Sequence, residues 1–214
     1  GRSVGISVSL EPGGQLEASV GPSSSVVDLL GALEAFDEQF LAICDELGVE
    51  WQLVALGCDP VTADPREVPL IPKERYRLMD AYLSRTGRYA RDMMRLSAST
   101  QVSIDCGEED SMVGQFRLAV ALGPILSFLC DNVSSWRGLA PCDTPSMVRS
   151  RIWDSVDGDR CGVVPGTFDG DFSPESYVDW LMGVRPILFT DDHGLTISTC
   201  SATSAGSSGM SGSN

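Results

Sequence analysis

The sequence predicts an α+β fold, and three observations carry that prediction. Two short runs, residues 6–10 and 99–106, alternate apolar and polar residues with the period of a strand buried on one face. Much longer segments between and after them space their apolar residues as helices do. The β-α-β rhythm is missing, as are the GxGxxG and GxxxxGK[ST] loops of nucleotide folds, so any ATP binding here does without a P-loop.

Taken in order, Ile6-Ser7-Val8-Ser9-Leu10 reads as a half-buried strand. It runs into Leu10-Glu11-Pro12-Gly13-Gly14-Gln15-Leu16-Glu17. Pro12 fixes its own φ, and Gly13 and Gly14 can take positive φ, so the backbone must turn or bulge there. Glu11 precedes the turn; Gln15 and Glu17 follow it two residues apart, on one face if the stretch is extended. Hard oxygen ligands crowded onto one sheet suit Mg²⁺, which binds few carboxylates and usually shares substrate phosphates. A polar hairpin with solvated acids fits the same local pattern.

Ser23-Ser24-Ser25 offers a helix N-cap. Leu29, Leu33, Phe36, Phe40, Ile43 and Leu47 then keep helical spacing up to a C-cap at Gly48. Residues 51–58 read as a buried strand. The four prolines between Pro60 and Pro72 demand an irregular connection. Helices are expected over about 73–84 and around 89–96, where Met93 and Met94 belong to the core. In residues 99–106, Ser99, Gln101, Ser103 and Asp105 form a polar face, solvated or lining a cleft, and Val102, Ile104 and Cys106 face the core. Residues 110–131 are apolar enough to predict a central helix. Helices near 146–154 and 173–182 and short strands near 187–190 and 195–199 complete the fold. The last stretch, 201–214, is nearly all Ser, Gly and Ala and is expected to be disordered, because it has too little to bury.

Composition narrows the function. The formal charge of −15 weighs against a nucleic-acid or anionic-membrane partner, since tracking phosphates takes an excess of Lys and Arg. An anionic substrate remains compatible if metal ions or a few focused arginines offset the field. No uninterrupted apolar run reaches the roughly 18 residues of a membrane span, and no signal peptide is visible. Seven cysteines without C-x-x-C pairing point to buried free thiols and a reducing cytoplasm rather than to disulfides or zinc. His193 is the single histidine, in a turn-like Asp191-Asp192-His193-Gly194 where exposure is expected, so a histidine metal cluster or a Ser-His-Asp triad is hard to build. The chain opens without Met, almost directly into a strand, which suggests an interior fragment of a longer enzyme.

Several motifs then fall in a fixed order. Leu10 to Glu17 stands as L-E-P-G-G-Q-x-E, and Pro72-Lys73-Glu74-Arg75-Tyr76 as P-K-x-R-Y. Asp92-Met93-Met94 precedes Ser99-Thr100-Gln101-Val102, and Ala121-Leu122-Gly123-Pro124 precedes Asn132. Arg149-Ser150-Arg151-Ile152-Trp153 is followed by Asp157-Gly158-Asp159-Arg160-Cys161-Gly162. In this order and spacing, from Leu10 to about Thr199, the chain resembles the plant-type glutamate–cysteine ligases, also widespread in bacteria.

The resemblance implies a fold similar to glutamine synthetase: an antiparallel sheet curved into a funnel, with flanking helices, here incomplete at both ends. Residues 1–200 would be a partial catalytic domain, inactive alone. The implied reaction joins the γ-carboxylate of L-glutamate to the amine of L-cysteine at the expense of ATP, through γ-glutamyl phosphate. By the same resemblance Glu11, Glu17 and Gln101 would hold Mg²⁺ against the ATP phosphates. Arg75 and Arg149 would clamp substrate carboxylates or the transferred phosphoryl group, a task suited to the planar guanidinium. Ser99 and Trp153 would line the glutamate pocket. Arg160 would approach a phosphate or pair with Asp157 or Asp159. The sequence departs from the family at Glu74, at Ser103 and at Val133-Ser134, where glycine, asparagine and serine-proline are usual. Those departures bear on the amine acceptor, so a carboxylate–amine ligase of the same fold with another amine is the alternative; a non-catalytic binder of nucleotide or glutamate is a third.

Overall fold

A computed structural model describes residues 5–194 and 196–198; the Ser/Gly-rich tail lies outside the described residues. β1 (Ile6–Leu10) and β2 (Leu16–Val20) form an antiparallel hairpin in register from Ile6↔Val20 to Leu10↔Leu16. The turn closes through Glu11 N–H to Gln15 O (2.9 Å) and Gly14 N–H to Glu11 O (2.8 Å), with Gly14 at φ +84°, the left-handed conformation that glycine takes without cost. α1 (Val26–Leu47) starts where Ser25 Oγ accepts the Asp28 N–H and stops at Gly48, also left-handed, as its cap residues require.

A 3-10 turn, Pro65–Glu67, sits in the proline-rich connection. α2 (Glu74–Thr86) and α3 (Ala90–Leu96) follow, then α4 (Glu109–Leu129), α5 (Val148–Trp153) and α6 (Pro174–Gly183). β3 (Leu188–Thr190) and β4 (Thr196–Ser198) pair antiparallel. His193 is exposed in the turn between them.

The core lies where α2, α3 and α5 meet. Leu83, Ala90, Met94, Val148 and Ile152 pack with Cys58, Trp136 and Val156, and Met93 lies against them. Each large apolar side chain buried there contributes about 1.5–3 kcal/mol. Asp92 and Asp157 are buried beside them. Asp92, only 1% exposed, accepts from Arg137 Nε and Nη2, both at 2.7 Å, and that guanidinium also lies over the Tyr89 and Trp136 rings. Asp80 collects Arg91 and Arg95 at 2.9–3.1 Å, which ties α2 to α3.

Three expectations are corrected. Residues 51–58 form no strand: only Cys58 makes an isolated bridge, to Ser97, and Trp51 is exposed. Residues 99–106 are likewise unpaired, with Val102 75% and Ile104 79% exposed. Alternation marks one face for burial, but a strand also needs a neighbour for its backbone groups, and none of the described residues provides one. α4 is helical as expected but buries none of its residues, so it is not central. Phe116 meets Phe172 and Tyr177, and Arg117 donates to the Thr167 and Asp169 carbonyls, while Leu118, Leu122, Ile125, Leu126, Phe128 and Leu129 are exposed. By length and composition alone this helix could cross a membrane. The described sheets are two separate two-stranded hairpins, so the fold is α+β as expected, while these residues do not by themselves close a funnel.

Candidate metal and phosphate site

The first hairpin is clamped to α2 and α3 by its turn. Tyr76, fully buried, donates its hydroxyl to Leu10 O (3.2 Å) and accepts from Arg75 Nη2 (2.6 Å). Lys73 Nζ reaches the same Leu10 carbonyl at 3.4 Å, and both cations lie over the Tyr76 ring. Ile71 N–H donates to Pro12 O at 2.9 Å. Gly13 is pressed against α3 so closely that a Cβ would stand 2.5 Å from Arg95 O and 2.8 Å from Arg95 Cα. That contact is a second, independent reason for glycine in the turn.

Glu11 is half-buried and Glu17 exposed, with Glu17 Oε2 accepting from Ser9 Oγ at 3.0 Å. Burial first, then the neighbouring Glu17 carboxyl, pushes the Glu11 carboxyl above its ordinary range; Arg75 and Lys73 pull it part of the way back. Two carboxylates and two cations therefore converge on one turn. Among the described residues no group of three or more His, Cys, Asp or Glu gathers anywhere, so this pair is not part of a larger acidic cage. Two hard oxygen donors that repel one another fit a small divalent cation with open positions, and the adjacent Lys73 and Arg75 fit anionic oxygens.

The other expected site residues fall elsewhere. Arg149 Nη1 donates to Gly57 O (3.0 Å) and to Ala98 O. Asn132 holds the same corner, its Oδ1 accepting from Gly57 N–H and its Nδ2 donating to Ala55 O, both at 2.9 Å. Ser99 Oγ accepts from Gln101 Nε2 at 3.1 Å on the exposed stretch beyond. Trp153 is exposed at the end of α5. Arg160 pairs with Asp157, donates to Tyr82 Oη at 3.0 Å and reaches Arg185 O. The six described cysteines are free thiols; burial pushes that of Cys58 up to about 11, which leaves it unreactive.

The structure thus brings together Glu11, Glu17 and Arg75, and it attaches Arg149 to the backbone just before Ser99. Lys73 and Tyr76 were assigned no role from sequence, although both stand in the Pro72–Tyr76 motif that carried Arg75. Gln15, grouped with Glu17 by its spacing, turns its carboxamide away from the acids, to Met94 O and Ser97 O.

An acid pair beside two cations thus lies on a hairpin braced by helices, an arrangement able to neutralise anionic oxygens. The model of glutamate-cysteine ligase family 2 matches residues 2–196, and the chain belongs to that family. It is 35% identical over 183 residues to a chloroplastic glutamate–cysteine ligase of Medicago truncatula, covering 86% of this chain and 35% of that protein. The chloroplastic enzyme of Arabidopsis thaliana is also 35% identical over 183 residues, covering 86% and 34%. Glutamate–cysteine ligase B of Oryza sativa subsp. japonica, also chloroplastic, is 34% identical over the same length, covering 86% and 36%. The chain thus spans about a third of the length of the curated relatives it matches. These relatives correct the cytoplasmic expectation: all three are named as chloroplastic. Free thiols report a reducing milieu, not a particular compartment.

Proposed function

We propose that this chain supplies part of the active site of an ATP-dependent glutamate–cysteine ligase. The observation that carries the proposal is Glu11 and Glu17 on one hairpin, with Lys73 and Arg75 at its turn, in a chain of this family. In the proposed reaction an oxygen of the glutamate γ-carboxylate attacks the γ-phosphorus of ATP, the bond from that phosphorus to the bridging oxygen breaks, and ADP leaves. The cysteine amine then attacks the acyl carbon and loses a proton, and inorganic phosphate departs to leave γ-glutamylcysteine. Negative charge from ATP, glutamate and phosphate accumulates in one place, so catalysis is mainly positioning and neutralisation.

Glu11 and Glu17 would hold Mg²⁺, with Gln101 as a neutral third donor. Bound there, Mg²⁺ would supply charge neutralisation to the phosphate oxygens. Arg75, its guanidinium fixed on Tyr76 Oη, presents a planar fork to a phosphoryl or carboxylate group, and Lys73 adds a point charge beside it. Arg149 acts from the opposite side by orienting the segment that carries Ser99 and Gln101, and Ser99 and Trp153 line the glutamate pocket. Arg160, held by Asp157, braces its own turn rather than reaching ATP. In the parent enzyme the hairpin and residues 99–106 are strands of an antiparallel funnel similar to that of glutamine synthetase. Residues 1–200 are then a partial catalytic domain, and the exposed faces of α4, Val102 and Ile104 lie under the remainder.

Ser103 and Val133-Ser134 favour a second acceptor amine as the alternative. Glutamate labelled with ¹⁸O in its γ-carboxylate, given to the full-length parent with ATP and a panel of amines, separates the possibilities. The proposal expects labelled phosphate together with γ-glutamylcysteine. Labelled phosphate with another amide product moves the function to the alternative. No transfer of label with any amine contradicts ligase chemistry.

A further inference from the structure

We propose that Gln15 is a positioning residue that fixes the acid pair of the first hairpin in register with residues 97–101. This rests on the assignment of Glu11, Glu17 and Gln101 as the metal-holding set. Strand alternation would put the Gln15 carboxamide beside the Glu17 carboxylate; instead both of its ends are used for bracing. Oε1 accepts the Gly13 N–H at 2.9 Å, and Nε2 donates to Met94 O at 3.3 Å and to Ser97 O at 3.0 Å. A primary amide has two N–H donors, and these two carbonyls take both. Met94 O belongs to the last turn of α3, whose carbonyls have no partner within the helix.

The two carbonyls lie some eighty residues from Gln15 along the chain, so this side chain joins parts that local sequence does not connect. Ser97 is also the residue that bridges Cys58. The next peptide unit is held from the other side: Ala98 N–H donates to Gly57 O at 3.1 Å, and Arg149 Nη1 donates to Gly57 O and Ala98 O. Residues 97–98 are therefore held by Gln15 from the hairpin and by Arg149 from α5. Ser99 and Gln101 follow directly. Glu11 and Glu17 sit on one side of this brace and Gln101 on the other, so Gln15 joins the hairpin directly to the segment that leads to Gln101. Glutamate would set a negative oxygen against two carbonyl oxygens, and methionine would keep the reach with no hydrogen bond.

The test uses the full-length parent and Mn²⁺ as a paramagnetic probe of Mg²⁺ sites, comparing the wild type with Gln15→Met and Gln15→Glu. Both variants should bind Mn²⁺ about tenfold more weakly, as residues that orient metal ligands do when altered. The Mg²⁺ needed for half-maximal ADP release should rise by a similar factor, with kcat at saturating Mg²⁺ and the KM for cysteine close to wild type. Variants that bind Mn²⁺ as the wild type does overturn the proposal. So does a fall in kcat with metal affinity unchanged. A wild type that binds no Mn²⁺ contradicts instead the metal assignment on which the proposal rests. Should both variants fail to fold, amide exchange of the unaltered enzyme decides: a protected Gly13 N–H supports the brace, and free exchange there overturns it.

Discussion

β1 and residues 99–106 carry the same alternation, yet one is a paired strand and the other is not. β1 finds its partner, β2, across a five-residue turn built from Pro12, Gly13 and Gly14, and the turn fixes the register. Residues 99–106 have no such neighbour among those described; Ala98 and Ser97 are held, and beyond them Val102 and Ile104 face outward. Periodicity specifies which face is to be buried, while pairing requires a second backbone, and closing a short loop costs much less entropy than recruiting a distant strand. The site follows the same division. Its acids are local to the hairpin, and the neutral donor proposed for it, Gln101, is on the segment that still needs a neighbour.

The largest expected effect strikes the platform under the hairpin. Asp92→Ala leaves Arg137 partly buried without its carboxylate and should cost about 3–5 kcal/mol in urea unfolding, as broken buried pairs do. Next, Gly13→Ala should cost about 1–3 kcal/mol, because its Cβ overlaps Arg95. Gly14→Ala, where the space is open and only the left-handed φ is penalised, should cost about 1–2 kcal/mol and leave the contact with α3 intact. An equal loss of metal affinity in both glycine variants would show that the close approach to α3 has no special role.

A smaller effect depends on pH. Burial would raise the Asp80 carboxyl, but hydrogen bonds from Arg91 and Arg95 outweigh it and hold the group below its ordinary 3.8. Folding therefore favours the ionised form. That stability is fully present above pH 3.8 and is lost as the pH falls through the depressed native value. Asp80→Asn should lower stability at neutral pH and flatten the acid limb, measured as unfolding free energy against pH. The smallest effect belongs to the unpaired stretch. Ile104→Thr should change the stability of this chain by no more than about 0.5 kcal/mol, as exposed substitutions do; a large loss would mean that the segment is packed after all.

Much of this was legible in the sequence where the cause is local. Ser25 and Gly48 bound α1 because caps depend on neighbouring residues, and Pro12-Gly13-Gly14 announces the turn that brings Glu11 near Glu17. What was not legible depends on distant partners. Gln15 has the chemistry of a ligand and of a brace alike, and only the nearby Met94 and Ser97 carbonyls decide. Lys73 and Tyr76 matter through Leu10 O, a backbone atom that no side-chain pattern announces. The central position expected for α4 failed because an apolar helix states a need for cover without naming what supplies it.

The most direct test of the site is glutamate-dependent ADP release by the full-length parent, beside Glu11→Gln and Glu17→Gln. If this acid pair neutralises the reacting phosphates, both variants fall by about a hundredfold or more while their circular dichroism is unchanged. Turnover close to wild type in both folded variants would contradict the assignment of the hairpin to the chemistry.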